Sequence, residues 1–292
     1  MSGPAESALR APAIRRPAAA LRVRQSAVRG LRTIRRLRGH KPPGPGRPPV
    51  TPAGWSVAPP EFVGIGAQKA GTSWWAELIH EHARVHRIGS QPKELHFFDS
   101  YWERRFGQAD IDLYAEYFPR PPGAIAGEWT PGYMVDFWTP ELLARAAPQV
   151  HVLVLLRDPF ERYLSSMAHT DQMSSASLDR QDAMGAFQRG LYAQQLRRVY
   201  DSFARDRVLV LQYEKCRADP SAELARTFRF LGLEPEPVDA AISQRLVNAA
   251  TRPKPELPSG LRDALVSAYQ PDLAELAGLA PELDLSLWPS TS

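Results

Sequence analysis

A chain of 292 residues and 32.5 kDa, 43% hydrophobic and 9% aromatic, has ample apolar material for a large buried core. One cysteine, Cys216, excludes a disulfide framework and any cysteine-rich zinc or iron–sulfur site, and no apolar run approaches the roughly 18–20 residues of a membrane-spanning helix. The net charge of +4 is unevenly divided: residues 1–50 carry a net +11 and the remaining 242 a net −7, so the pI of 9.3 describes one end and nucleic-acid binding by the whole chain is not expected.

Residues 1–60 are rich in Ala, Arg and Pro and are expected to form a disordered basic arm, ending in the semi-extended linker Lys41-Pro42-Pro43-Gly44-Pro45-Gly46-Arg47-Pro48-Pro49. Within the arm Leu21, Val28, Leu31 and Ile34 recur near helical spacing, with arginines on the other face. That pattern suits an anionic membrane surface or RNA. The arginine-rich, acid-poor composition also resembles an organellar transit peptide, and the apolar core of a secretory signal is missing. No chemistry is assigned to the arm.

Residues 61–292 read as one domain in which strands and helices alternate. Phe62-Val63-Gly64-Ile65-Gly66 is a short apolar strand entering a turn, and Trp74, Trp75, Leu78, Ile79 and His82 mark one face of the helix beyond it. Between them lies Ala67-Gln68-Lys69-Ala70-Gly71-Thr72-Ser73. Small residues let backbone N–H groups approach an anion, the helix start adds positive potential, Lys69 adds a charge and Thr72 and Ser73 add hydroxyls. The register is not that of a nucleoside triphosphatase, where the lysine follows the second glycine; here Lys69 precedes Gly71. Such a loop suits one 5′-linked phosphate group.

Next, Lys93-Glu94-Leu95-His96-Phe97-Phe98-Asp99 collects Lys, Glu, His and Asp around two phenylalanines. In an extended segment, alternation places Glu94, His96 and Phe98 on one face, where a carboxylate and an imidazole could take a proton from a substrate hydroxyl. Neither this segment nor His80-Glu81-His82 has metal-ligand spacing, and no metal is expected.

Residues 124–127 form a weak strand, and residues 150–156 a continuous β-branched and leucine run typical of a strand buried on both faces. It stops at Arg157, a guanidinium that at a strand mouth calls for an anion and offers phosphate a bidentate fork. A helix follows at once: Asp158 suits the N-cap, Pro159 the first helical position and Glu161 the acid of a capping box, with Ser165 about two turns along. Helices are expected over 191–203, 222–231 and 261–269, and a strand over 208–211. The pattern implies an α/β fold: a P-loop-like parallel sheet with helices on both faces and function at the carboxyl ends of the strands.

Together these residues resemble the 3′-phosphoadenosine 5′-phosphosulfate (PAPS)-dependent sulfotransferases of the heparan-sulfate type and their bacterial counterparts. Gln68-Lys69-Ala70-Gly71-Thr72-Ser73, with Trp74 following, is similar to the family's 5′-phosphosulfate loop; Leu156-Arg157-Asp158-Pro159 with Ser165 is similar to its 3′-phosphate motif; residues 93–99 are similar to the segment carrying the catalytic base. Gly190-Leu191-Tyr192-Ala193, Val208-Leu209-Val210-Leu211-Gln212-Tyr213-Glu214 and Phe230-Leu231-Gly232-Leu233 follow in family order, so the likeness covers about residues 62–288. The resemblance implies sulfuryl transfer from PAPS, without a metal, to a hydroxyl or amine of a carbohydrate, glycolipid or small-molecule acceptor. It implies that Lys69 meets the 5′-phosphate and the leaving oxygen, and that Glu94 is the general base, supported by His96 and Asp99. Ala70, Gly71, Thr72, Ser73 and Trp74 would belong to the donor loop, Arg157 and Ser165 would hold the 3′-phosphate, and Tyr192 would line the nucleotide site.

Two departures stand out. Trp129 occupies a position where the family usually has lysine, and the Lys-Gly-Arg loop near the carboxyl end is missing, with Arg252 and Lys254 lying nearby. Both point toward a smaller or less charged acceptor. The alternatives are a P-loop kinase, which needs a lysine after Gly71 and an acid for magnesium, and a non-catalytic nucleotide-binding relative. The expected location is the cytoplasm, with peripheral membrane contact through the arm.

Overall fold

In the computed structural model, residues 45–88, 93–173, 180–239, 242–243 and 254–290 are described, the side chains of 170–173 excepted. The frame is a five-stranded parallel sheet of β2 (Phe62–Gly66), β3 (Val85–His86), β5 (Ile125–Trp129), β6 (His151–Leu156) and β7 (Val208–Gln212), in the order β3-β5-β2-β6-β7. A separate antiparallel pair joins β1 (Ser56–Val57) to β4 (Pro119–Arg120). All strand connections in the main sheet are parallel, so each must cross over, and helices flank the sheet as the alternating pattern predicts. β6 lies between β2 and β7, and its residues 152–156 are fully buried, which is why its sequence lacks polar alternation.

Trp129 settles into this sheet and not into a substrate cleft. Its indole lies over Gly64 of β2, where a β-carbon would come within 1.9 Å of the ring, and its Nε1 donates to the Gly66 carbonyl at 3.3 Å. The glycine and the tryptophan fill one volume together.

The helices are α1 (Thr72–Ile79), α2 (Gln108–Ala115), α3 (Thr139–Ala146), α4 (Pro159–Met173), α5 (Arg180–Gln188), α6 (Tyr192–Ser202), α7 (Tyr213–Ala218), α8 (Pro220–Phe230) and α9 (Ser259–Leu279). Asp158 caps α4 as expected: its Oδ1 accepts from the N–H groups of Phe160 (2.8 Å) and Glu161 (3.0 Å). Glu161 does not complete a capping box, because its carboxylate is drawn to Arg157 and Lys254. The last helix runs ten residues beyond the expected end at Tyr269 and carries Pro271 inside it. Tyr269, Leu273 and Leu276 are buried on its inner face, and their burial outweighs the one backbone hydrogen bond that Pro271 cannot make. Part of the segment expected as linker makes contacts with the domain: Tyr117 donates its hydroxyl to the Gly46 carbonyl at 2.6 Å, and Trp55 packs edge-on against His86 at 4.7 Å.

Candidate active site

β2 and β6 are neighbours, and the chain leaves both at the same sheet end. The loop after β2 is pinned to β6 where Ala67 N–H donates to the Leu155 carbonyl at 2.8 Å. Gly71 closes this loop at φ 93°, and a β-carbon there would meet the Tyr213 ring at 2.7 Å, so both backbone and space demand glycine. Lys69 also adopts a left-handed backbone, φ 70°, at a cost that a non-glycine residue bears mainly at functional sites. No side chain caps α1 and no acid lies in its first turn, leaving its leading N–H groups open to an anion. The Lys69 side chain makes no hydrogen bond or ion pair among the described residues. Burial lowers its pKa, with Glu94 acting the other way and Lys93 adding to the lowering.

Residues 93–99 wrap over this loop. Lys93 Nζ donates to Thr72 Oγ1 at 3.3 Å and Ser73 Oγ at 3.2 Å and sits 3.3 Å from Glu94 Oε1, tying the acidic segment to the start of α1. His96 lies between two carboxylates, with Nε2 3.3 Å from Glu94 Oε2 and Nδ1 2.9 Å from Asp99 Oδ2. Hydrogen bonds to Asp99 and then Glu94 push the imidazole up to about 10 against the effect of burial, so it is a cation donating to both at neutral pH. Burial works against ionising Glu94, but the His96 hydrogen bond and the Lys93 charge outweigh it and hold this carboxyl below its ordinary value.

Alternation in an extended strand is not what unites Glu94 and His96. His96 turns the chain with φ 54°, a 3₁₀ turn follows at Phe98–Ser100, and Phe98 goes into the core while Glu94 and His96 stay partly exposed. The turn is held by Glu128, a buried carboxylate at the end of β5. It accepts from Leu95 N–H (3.1 Å), the Tyr114 hydroxyl (2.9 Å), the Tyr133 hydroxyl (3.3 Å) and Thr130. Burial pushes Glu128 up to about 7, and these donors act in the opposite direction.

At the mouth of β6, Arg157 Nη2 lies 3.2 Å from Glu161 Oε2, and Lys254 Nζ meets the same oxygen. The Arg157 guanidinium carbon stands 4.8 Å from the centre of the Tyr213 ring, the ring that also borders Gly71 and meets Trp74 edge-on at 6.1 Å. Tyr213 therefore joins the loop after β2 to the cation after β6. Ser165 is half-buried on α4, Ala70 is buried in the loop, and buried Trp74 donates from Nε1 to the Ser243 carbonyl at 2.9 Å. Tyr192, expected to line a nucleotide site, is fully buried and donates to the Arg157 carbonyl at 2.8 Å, fixing the backbone of that arginine from behind. Arg252 lies outside the described residues.

Beside Lys69 opens a cavity of about 620 Å³, whose walls include Gln68, Val135, Ser166, His169 and Arg189. Sequence reasoning did not single out Lys93 as a partner of α1, Glu128 as the strut of the turn, or Arg189 as a charge on the cavity wall. Arg189 directly precedes the Gly190-Leu191-Tyr192 motif, and Glu128 directly precedes Trp129; a charge beside a motif was the available signal.

Residues 59–254 match the sequence profile of the sulfotransferase domain. Human heparan sulfate glucosamine 3-O-sulfotransferase 6 is 30% identical over 208 residues, which cover 67% of this chain and 58% of that protein. Mouse heparan sulfate glucosamine 3-O-sulfotransferase 3B1 is 30% identical over 189 residues, 60% of this chain and 46% of that protein. The chain thus spans about half the length of the curated relatives it matches. Among solved structures, a sulfotransferase from Alicyclobacillus acidocaldarius superposes with a TM-score of 0.64 at 25% identity, covering 80% of this chain and 99% of that one. A sulfotransferase from Mycobacterium avium shares the fold, with a TM-score of 0.51 at 13% identity over 76% of this chain and 77% of that one.

Proposed function

The chain belongs to the sulfotransferase domain family, and from that premise we propose that it moves a sulfuryl group from PAPS to a hydroxyl or amine of a carbohydrate, glycolipid or small-molecule acceptor. The observation that carries this reading is the meeting of two anion-binding elements on one ring. Gly71 of the small-residue loop and Arg157 at the next strand end both abut Tyr213, so phosphates at the two ends of one adenosine nucleotide have adjacent holders.

The residues present fit such a donor. Lys69 has a free ammonium, α1 has an uncapped start, and Thr72 and Ser73 bring hydroxyls already bridged by Lys93. When bound, the donor supplies the sulfuryl group and a phosphate leaving oxygen. Lys69 and the N–H groups of α1 stabilise the negative charge that builds on that oxygen, where fixed donors act most strongly. Glu94, ionised at neutral pH, takes the proton of the acceptor hydroxyl as the oxygen–sulfur bond forms. His96, charged and bonded to Asp99, fixes the direction of the Glu94 carboxylate. Arg157, Ser165 and Lys254 would hold the 3′-phosphate, the two cations already converging on one anion, the Glu161 carboxylate. A kinase reading has less support, since Thr72 stands directly after Gly71, where its phosphate lysine belongs.

The same reading takes the chain as cytoplasmic, with its +11 amino-terminal segment resting on an anionic membrane surface; sedimentation with phosphatidylserine vesicles, lost at high salt, is the expected behaviour. The catalytic reading is tested by incubating the chain with sulfur-labelled PAPS and a cell extract. Label should pass to an organic acceptor and be recovered in a sulfate ester or sulfamate. Label that stays on the nucleotide, or leaves only as inorganic sulfate, contradicts the reading.

A further inference from the structure

Beyond α9 the chain returns to the carboxyl ends of β7 and β6 and is tied to both. Lys215 Nζ donates to the Glu282 carbonyl at 2.7 Å. Gln212, the last residue of β7, exchanges two hydrogen bonds with the Asp284 backbone: its Nε2 donates to the Asp284 carbonyl and its Oε1 accepts from the Asp284 N–H, each at 2.8 Å. Trp288, fully buried, then donates from Nε1 to Glu214 Oε2 at 2.8 Å, and Ser290 N–H donates to Asp158 Oδ2 at 2.8 Å.

The last two contacts converge on the peptide group that joins Arg157 to Asp158. Its N–H donates to Glu214 Oε1 at 3.1 Å, and its carbonyl accepts from the Tyr192 hydroxyl at 2.8 Å. Trp288 touches both holders. Its indole N–H meets the second oxygen of Glu214, and its ring lies edge-on to that of Tyr192 at 6.1 Å. Burial raises the Glu214 pKa, and its N–H donors, Trp288 among them, act the other way. The loop after β2 has separate anchors, in the hydrogen bond from Ala67 to Leu155 and in Lys93.

We infer that Trp288 is a positioning residue for nucleotide recognition: through Glu214 and Tyr192 it sets the backbone of Arg157, and so gives the chain its preference for a nucleotide that carries a 3′-phosphate. The inference rests on the donor reading proposed above. A guanidinium pairs with phosphate through a fork of two N–H groups, so its value depends on direction. A recognition group keeps that direction to within about 0.5 Å only when the residues behind it are themselves locked by packing and hydrogen bonds. Here both polar atoms of one peptide group are locked, and one buried indole braces the two side chains that do it.

The test uses the full chain and two probes that differ only in the 3′-phosphate, adenosine 3′,5′-bisphosphate and adenosine 5′-monophosphate. Affinities are read by titration calorimetry near neutral pH, below the melting temperature of each protein. The wild type should bind the bisphosphate at least about tenfold more tightly. Trp288→Phe keeps an aromatic ring and loses the N–H donor, whereas Glu214→Gln keeps the shape but offers one oxygen to two donors. Either variant should bring the two nucleotides to within about threefold of each other while monophosphate affinity stays within about twofold of the wild type. The double variant should do no more than the larger single change, because both remove one contact. A preference that survives at the wild-type level in both variants, or a fall in both affinities together as general loosening would give, overturns the inference and leaves the donor reading standing. Glu214→Gln decides alone if Trp288→Phe does not fold. A wild type that binds the bisphosphate no better than the monophosphate rejects the donor reading, and the role of Trp288 with it.

Discussion

As the proposed base, Glu94 has two demands on it that pull in opposite directions. A base gains strength from a raised pKa, yet the His96 cation and Lys93 hold this carboxyl low, so it is ready in ionised form and fixed in direction at the expense of intrinsic basicity. Replacing Glu94 with Gln should lower kcat by about 10²–10⁴-fold and leave adenosine 3′,5′-bisphosphate affinity intact; calorimetry beside a rate assay separates the two, and full activity in the variant removes Glu94 from the mechanism. His96→Asn tests the other half. With the largest lowering influence gone, the Glu94 pKa should rise, so the acid limb of the kcat/KM profile should move to higher pH. An unmoved limb means that His96 does not set the state of Glu94. Residue types in 93–99 suggested a carboxylate with a partner to orient it, and the proposed roles of Glu94, His96 and Asp99 came from the family resemblance. Their conformation was not legible, since a left-handed backbone at histidine has no signature in a period-2 pattern.

At the scale of elements, the site depends on a turn held by one buried acid. Glu128 ties β5 to the backbone of Leu95 and, through Tyr133, to that of Phe97, whose N–H donates to the Tyr133 hydroxyl at 2.8 Å. Its folded-state pKa, about 7, lies above the ordinary 4.5, so the native state binds this proton more tightly than the unfolded chain does. Stability from this group is therefore greatest below the ordinary value, falls as pH rises to about 7 and is level beyond. Glu128→Gln cannot ionise, so its urea midpoint should gain on that of the wild type between pH 5 and pH 8; a constant difference between the two proteins contradicts the assignment. The continuous apolar runs of β2, β6 and β7 and the helical spacing of α6 were legible to within a residue or two. The continuation of α9 past Pro271 was not, because the burial of Leu273 and Leu276 that sustains it is a tertiary fact. The seat of Trp129 over Gly64 likewise appears only when β5 and β2 are paired.

Across the whole molecule, the sheet order determines what can meet. Placing β6 beside β2 and β7 beside β6 brings the ends of three strands together, so the loop with Lys69 and Gly71, the cation Arg157 and the ring of Tyr213 form one surface although they are far apart in the chain. The alternation of buried strands and helices made the fold class legible, and polar motifs at two strand ends pointed to the loop with Lys69 and to Arg157. Arg189, on the wall of the cavity beside Lys69, belongs to no short motif and is placed by the fold. The account stands on one doubly phosphorylated nucleotide being held by the loop and by Arg157, and thermal denaturation of the full chain measures this directly. Adenosine 3′,5′-bisphosphate should raise the melting temperature more than equimolar adenosine 5′-monophosphate or ATP with magnesium, and Arg157→Ala should abolish the advantage over the monophosphate. A shift with ATP and magnesium that equals or exceeds that of the bisphosphate, or an advantage that survives Arg157→Ala, would contradict it.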